Sequence, residues 1–222
     1  MPSSVVITGA GGNLGLAMVN SFLNEKYRVQ AILSPGSNQG SMPENERLFI
    51  STADLTNEKE TELLMEGLSG KEKIEVAVLT VGGFVMGSIA ETSQADLQKQ
   101  FSLNFNTTYN VVRPLFSHMM DHGYGRIFLT GSAPGMDMHK GKGMTAYALS
   151  KSLIFRLAEL LNLEAGTRDI ITQVIVPSII DTPQNRLSMP DADFTKWVKP
   201  ETIAQETIRR ISEVNANRLI VF

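Results

Sequence analysis

The run Val5-Val6-Ile7-Thr8-Gly9-Ala10-Gly11-Gly12-Asn13-Leu14-Gly15-Leu16 decides the fold. Its first four residues are apolar or β-branched, as in a short buried strand. The glycine-rich turn then gives way to Leu16, Val19, Phe22 and Leu23 at helical spacing. Strand, glycine turn and helix is the arrangement that holds a dinucleotide pyrophosphate. Glycines let the backbone approach the anion, and free N–H groups at the helix N-terminus favour its charge. A glycine turn alone also serves as a plain strand-to-helix connection; the flanking strand and amphipathic helix favour nucleotide binding.

Outward from this unit the same alternation continues. Residues 27–33, 47–50, 74–81, 125–132, 170–176 and 218–222 read as further strands. Helices are expected at 58–68, 95–121, 145–164 and 200–214, with 35–45 and 133–143 as loops. Residues 178–199, containing Pro183 and Pro190, read as a mobile lid. No linker or repeat divides the chain. The expectation is α/β, a doubly wound parallel sheet in a single domain over 1–222. Ligands of such sheets bind at the carboxyl ends of the strands. The glycine turn, Gly82-Gly83, Ser132 and the segment after Pro177 should therefore share one edge.

Bulk properties narrow the function. The chain has 222 residues, 42% hydrophobic and 19% charged, as soluble globular proteins do. A net charge of −3 without a basic stripe argues against nucleic acid. The absence of cysteine excludes thiolate catalysis and disulfides. His118 and His122 stand four apart, a possible metal spacing, but read better as ordinary imidazoles near a helix end, so no metal is expected. The N-terminal residues lack an export pattern and no stretch suits a bilayer, so a cytoplasmic protein without membrane contact is expected.

Thr145-Ala146-Tyr147-Ala148-Leu149-Ser150-Lys151 places a phenol and an ammonium one helical turn apart on one face. An adjacent ammonium favours phenolate and lowers the tyrosine pKa, which suits proton transfer near neutrality. The bland alternative is a core tyrosine beside a solvated lysine. After the second strand, Leu33-Ser34-Pro35-Gly36-Ser37 lacks the carboxylate that selects NAD through its ribose hydroxyl. Ser34 or Ser37 suits a 2′-phosphate instead, although no Arg or Lys stands nearby; the cofactor is NADP or NAD, with a lean to NADP. Asp54 reads either as a helix cap or as an adenine contact.

Taken in order, Thr8-Gly9…Gly15, Asp54, Asn104, Ser132, Tyr147-x-x-x-Lys151 and Pro177…Thr182 resemble the short-chain dehydrogenase/reductase family over nearly the whole chain. The resemblance implies an oxidoreductase in which Tyr147 is the proton donor in reduction. Lys151 would hold the nicotinamide ribose and lower the Tyr147 pKa. Ser132 would orient the substrate oxygen, and Asn104 would hold a water linking Lys151 to solvent. It also implies cofactor contacts at Thr8, Gly9, Gly12, Asn13, Leu14 and Gly15, and at Ser34, Asp54 and Leu55 after strands two and three. Gly82, Gly83, Pro177, Ile179 and Thr182 complete that set. A homodimer or homotetramer through the helices at 95–121 and 145–164 is implied as well. Phe101, Phe105, Tyr109, Phe116 and Phe155 on those helices face either a partner or the sheet.

The chain departs from the family pattern in places. Gly12 precedes the usual glycine position, held here by Asn13. Thr80-Val81-Gly82-Gly83 replaces Asn-Asn-Ala-Gly, and Pro177-Ser178 replaces Pro-Gly. The lid segment from Asp181 to Trp197 is similar to that of the dihydropteridine reductase branch, in which Phe194 and Trp197 would either stack on a flat ring or close the lid onto the core. The competing reading is a nucleotide-binding sensor or scaffold without catalysis, motivated by the irregular turn and the missing ribose acid.

Overall fold

The computed structural model describes residues 3–37, 39–213 and 218–222. Seven parallel strands form one sheet in the order β3-β2-β1-β4-β5-β6-β7. They are β1 (Ser4–Thr8), β2 (Arg28–Leu33), β3 (Leu48–Thr52), β4 (Ile74–Leu79), β5 (Tyr124–Thr130), β6 (Asp169–Val176) and β7 (Leu219–Val221). Every residue of β1 is buried. A strand covered on both faces needs a continuous apolar run, which is what its sequence supplies. Val5 pairs with Val29 of β2 on one side and Val76 of β4 on the other. The chain order reverses across β1, so a crevice opens beyond the carboxyl ends of β1 and β4.

On one face, α1 (Asn13–Asn24) and α8 (Pro200–Arg210) bury Met18, Phe22 and Ile203 against the sheet. On the other, α2 (Glu58–Ser69), α4 (Thr107–His122) and α6 (Thr145–Ala165) bury Met65, Leu115, Met119 and Ile154. Three shorter helices, α3 (Gln94–Phe101), α5 (Ala133–Met136) and α7 (Pro183–Ser188), lie in the connections at the crevice.

Several expected boundaries move. The helix expected at 95–121 begins at Gln94 behind a Ser93–Asp96 capping box and is interrupted by a π turn at Ser102–Asn106. There the Thr107 N–H reaches back to the Ser102 carbonyl. The extra residue rotates the helix face and carries Asn104 into the interior, where it is fully buried. The strand expected at 74–81 ends at Leu79, and the one expected at 47–50 shifts to Leu48–Thr52. The loop at 133–143 holds α5, capped by Ser132, and a 3₁₀ turn at Met138–Gly141, capped by Asp137. The helix expected at 200–214 ends at Arg210, and Val214 lies outside the described residues.

The lid segment is more ordered than its prolines suggested. Thr182 caps α7 with Pro183 in its first turn, a place where a missing N–H costs nothing. The base of the segment is closed by backbone bonds from Asp181 N to Val198 O (2.8 Å) and from Val198 N to Ile179 O (3.0 Å). The five rings on the long helices divide. Phe116 and Phe155 are in the core, Phe101 and Phe105 are half-buried, and Tyr109 is exposed and stacked on Phe105 at 6.1 Å.

The entry into α1 depends on one close approach. A Cβ on Gly15 would lie 2.1 Å from the Gly9 carbonyl oxygen. Gly67, inside α2, has nothing within 4 Å of its Cβ position. Gly15→Ala is expected to destabilise the protein by about 1–3 kcal/mol through overpacking. Gly67→Ala is expected to stabilise it by about 0.5–1 kcal/mol through helix propensity. Urea denaturation of the two variants beside the parent checks both signs.

Candidate active site

The glycine turn is built by backbone contacts. Gly9 takes φ +63°, and its carbonyl accepts the Gly12 N–H at 2.9 Å. The Thr80 hydroxyl donates to the Thr8 carbonyl at 2.8 Å and ties the ends of β1 and β4 together. Gly12 caps α1 without any side-chain hydrogen bond, so the first turn of the helix presents its N–H groups to the crevice. Leu14 is buried in the core, so its side chain does not face the crevice. Asn13 is exposed and donates to Gln184 of α7 at 2.9 Å.

A cleft of about 310 Å³ runs from this turn between β1, β2 and β4 and is lined by Gly9, Gly12, Ser34, Asp54, Leu55 and Gly82, among others. That size lies within the usual range for small-molecule pockets. The Ser34 and Ser37 hydroxyls are hydrogen-bonded to each other at 2.7 Å on its rim. Asp54 is not the helix cap: Asn57 caps α2 by accepting from Glu60 N. Asp54 instead accepts from the N–H and hydroxyl of Thr56 (3.0 and 2.7 Å) and lines the cleft. Leu55 is buried there, and its carbonyl accepts from Asn110 at 3.0 Å. A dinucleotide fits this arrangement. Bare backbone is needed at two places around it: a Cβ on Gly9 would meet Thr80, and one on Gly82 would meet Asn104 and Lys151.

The floor of the site is a buried amide. Asn104 Oδ1 accepts from Gly83 N at 2.8 Å, and its Nδ2 lies 3.1, 2.9 and 3.0 Å from Gly83 O, Gln100 Oε1 and Ser150 Oγ. Ser150 in turn donates to the Tyr147 carbonyl at 2.8 Å. One side chain thus joins the loop after β4, the π turn and α6. Gln100 and Ser150 were not singled out in the sequence, although Gln100 stands four residues before Asn104 and Ser150 directly before Lys151.

Ser132, Tyr147 and Lys151 meet above this floor. Ser132 is buried and accepts from Gly135 N at 3.1 Å. Burial raises the Tyr147 pKa above its ordinary value, and the nearby Ser132 hydroxyl opposes that rise. The expected lowering by Lys151 is not found in this structure. Its ammonium is buried and donates to the Thr130 carbonyl at 2.8 Å, and desolvation lowers its own pKa to about 8.

The remaining expected residues lie around the lid. Pro177 is half-buried, Ile179 is exposed, and the Thr182 hydroxyl is engaged in capping α7. Phe194 and Trp197 pack on each other at 4.7 Å, and Arg186 lies 4.6 Å over Phe194 while paired with Asp181 at 2.6 Å. These rings close the lid on itself. His118 Nε2 accepts from Ile74 N at 3.1 Å, and His122 Nδ1 bonds the His118 carbonyl at 2.7 Å, so both imidazoles have structural partners.

The burial of Lys151 has a consequence for stability. Its folded pKa of about 8 lies below its unfolded value, so the unfolded chain binds more protons between the two. Below pH 8 both states are charged and the burial cost is constant. Above it the cost is relieved until about pH 10.4, the unfolded value. In the absence of nucleotide, raising the pH from about 7.5 to about 9.5 should stabilise the parent by about 2 kcal/mol relative to Lys151→Met. Urea unfolding of both proteins at the two pH values checks this, and parallel pH dependences would contradict it.

Comparison with known proteins agrees with this architecture. A family model described as short chain dehydrogenase matches residues 3–193. The cyclic-di-GMP-binding biofilm dispersal mediator protein of Escherichia coli (strain K12) is 27% identical over 194 residues, covering 86% of this chain and 78% of that protein. The uncharacterized oxidoreductase YbbO of the same organism is 28% identical over 185 residues, covering 82% of this chain and 67% of that protein. The structure of ElxO with NADP bound has a TM-score of 0.89 at 20% identity, covering 100% of this chain and 98% of that one, a likeness of fold. Matched by its model from residue 3 to residue 193, the chain belongs to the short-chain dehydrogenase family.

Proposed function

We propose that the protein is an NAD(P)H-dependent reductase of a C=O or activated C=N bond in a small molecule, with Tyr147 as proton donor. The observation that carries this reading is the grouping of the buried Ser132 hydroxyl at the end of β5 with the Tyr147 phenol and, one helical turn on, the buried Lys151 ammonium. The nicotinamide, when bound, supplies the hydride that turns a carbonyl carbon into CH–OH. Ser132 and Tyr147 hold the substrate oxygen, and the phenolic proton passes to it as negative charge develops. The raised Tyr147 pKa keeps that proton in place near neutrality. Asn104 acts by position, holding the Gly83 backbone and α6 in register; a water held there would connect Lys151 to solvent.

Gly9, Gly12, Asn13 and Gly15 would hold the pyrophosphate, with Ser34, Asp54 and Leu55 at the adenosine and Gly82, Gly83 and Lys151 toward the nicotinamide. Pro177, Ile179 and Thr182 would flank its carboxamide, with the lid over 178–199 excluding water. Ser34 and Ser37, without a neighbouring carboxylate, support NADP over NAD. The similarity of the lid to dihydropteridine reductases makes quinonoid dihydropterin one substrate to test. Homodimer or homotetramer formation would use the outer faces of α4 and α6, where Tyr109 and Leu163 are exposed. Light scattering that returns a monomer mass would remove that assembly.

The name of one relative, a cyclic-di-GMP-binding mediator, favours a second reading: a nucleotide sensor without catalysis. Cyclic-di-GMP binding to the purified protein, with no oxidation of NADH or NADPH by any ketone, aldehyde or quinonoid dihydropterin, would establish it.

Under the reductase reading, Tyr147→Phe should lose turnover by about 10²- to 10⁴-fold while its Kd for NADPH stays within about twofold. Ser132→Ala should lower kcat in the same direction. Parallel NADH and NADPH titrations, read by fluorescence, measure both the preference and the retained binding. Undiminished turnover in Tyr147→Phe would sink the mechanism.

A further inference from the structure

The loop that leaves β4 forms one wall of the site, and its side chains are not those of a polar pocket. It is fixed at both ends by its backbone. Gly83 is held by Asn104. Gly87 N donates to Gly143 O at 2.7 Å, and Thr145 N donates to Gly87 O at 2.9 Å, one turn or less before Tyr147. Between these anchors Phe84 and Met86 are left 59% and 63% exposed. The Phe84 ring meets the Tyr147 ring edge to face at 5.0 Å and 77°. Met86 reaches the opposite anchor, where a Cβ on Gly143 would lie 3.8 Å from its terminal methyl. Met136 and Met138, in the turns that follow Ser132, are also exposed.

Phe84, Val85 and Met86 form one run of exposed apolar side chains beside Tyr147, the kind of patch that marks a binding surface. Lys151 is already bonded to Thr130 and the lid's Arg186 is paired bidentately with Asp181, so neither is free for a substrate carboxylate; Lys140 and Lys142 stand exposed on the loop before Gly143. Methionine and phenylalanine instead suit a flat apolar ring, through S···aromatic and offset ring contacts.

We infer that Phe84 is a specificity-determining residue and that the substrate is an uncharged carbonyl compound with an aromatic ring next to the reacting carbon. The inference rests on the reductase reading above. Phe84 sets the ring against Tyr147, and Met86, at the Gly143 end of the same loop, flanks it. In the reaction the aldehyde or ketone gains a hydride at carbon from NAD(P)H and a proton at oxygen from Tyr147. An alcohol and NAD(P)⁺ result.

The test compares three aldehydes that share the reacting group: 4-nitrobenzaldehyde, 4-carboxybenzaldehyde and glyceraldehyde. The neutral aryl aldehyde should show the highest kcat/KM. Phe84→Ala should lower that value by about 10- to 100-fold, the worth of one buried ring, while Phe84→Leu retains more and NADPH affinity is unchanged. Glyceraldehyde turnover should barely respond. Equal loss on all three substrates would mean that Phe84 merely supports Tyr147, and preference for the carboxylated or the aliphatic aldehyde would also overturn the inference. Binding of 4-nitrobenzyl alcohol, measured by calorimetry with NADPH present, separates the two levels. Binding that Phe84→Ala removes, with no aldehyde reduced, upholds the aromatic site and rejects the reductase. Reduction of all three aldehydes at equal rates does the reverse.

Discussion

A single buried amide ties together more of this site than any other side chain in it. Asn104 is fully enclosed, and an enclosed amide must find partners or pay for its lost water. Its oxygen takes the Gly83 N–H, and its two N–H bonds are shared among Gly83 O, Gln100 and Ser150. Those partners belong to three separate parts of the chain. The loop after β4 is thereby fixed to the helix that carries Tyr147, and neither can shift without breaking bonds that water cannot replace. The π turn at Ser102–Asn106 is what allows this, because an uninterrupted α-helix would give residue 104 a different bearing.

The pair above the amide is placed at a cost. Lys151 loses its hydration for one carbonyl bond, from Thr130. Tyr147 is held mostly out of water, with its proton made harder to lose. A surface built only for stability would bury apolar groups at these positions. Gly82 belongs to the same compromise: a side chain there would run into both Asn104 and Lys151, so the backbone must stay bare for the ammonium to lie where it does. Local stability is given up where two polar groups are held in a medium that strengthens every charge interaction.

Much of the architecture was legible because it follows short-range rules. The all-buried β1, the glycine turn and the apolar face of α1 announce themselves by period and composition. Tyr147 and Lys151 needed only helical spacing. What escaped depends on competition between equivalent signals. Asp54 and Asn57 are both good helix caps; Asn57 wins because its spacing to the Glu60 N–H fits the first turn of α2. The π turn has no punctuation of its own, and the two mid-helix asparagines, Asn104 and Asn106, were its sole trace. Thr182-Pro183 carried an N-cap and first-turn signal, yet the prolines around it suggested an irregular lid. Phe116 and Phe155 turn inward while Tyr109 turns out, a division set by packing rather than by residue type. The direction of the Tyr147 pKa could not follow from spacing, since burial sets it and the Lys151 ammonium is turned to the Thr130 carbonyl.

The same logic explains why substrate choice can vary over a constant frame. The loop from Gly82 to Thr145's neighbourhood is held by Asn104 at one end and by the Gly87–Gly143 and Thr145–Gly87 bonds at the other. All of its anchoring bonds are to the loop's main chain. Main-chain bonds are indifferent to which side chain stands between them, so the loop's hydrogen bonds hold whatever residues occupy positions 84 and 86, and Phe84 adds only its edge contact with Tyr147. Their exposure is therefore not needed by the fold, whereas a Cβ added at Gly83 or Gly87 would press on the side chains of Leu103 and Thr92. A wall with a fixed backbone can change its side-chain chemistry while its main-chain anchors stay in place. In this chain that wall has been given an aromatic ring and a thioether.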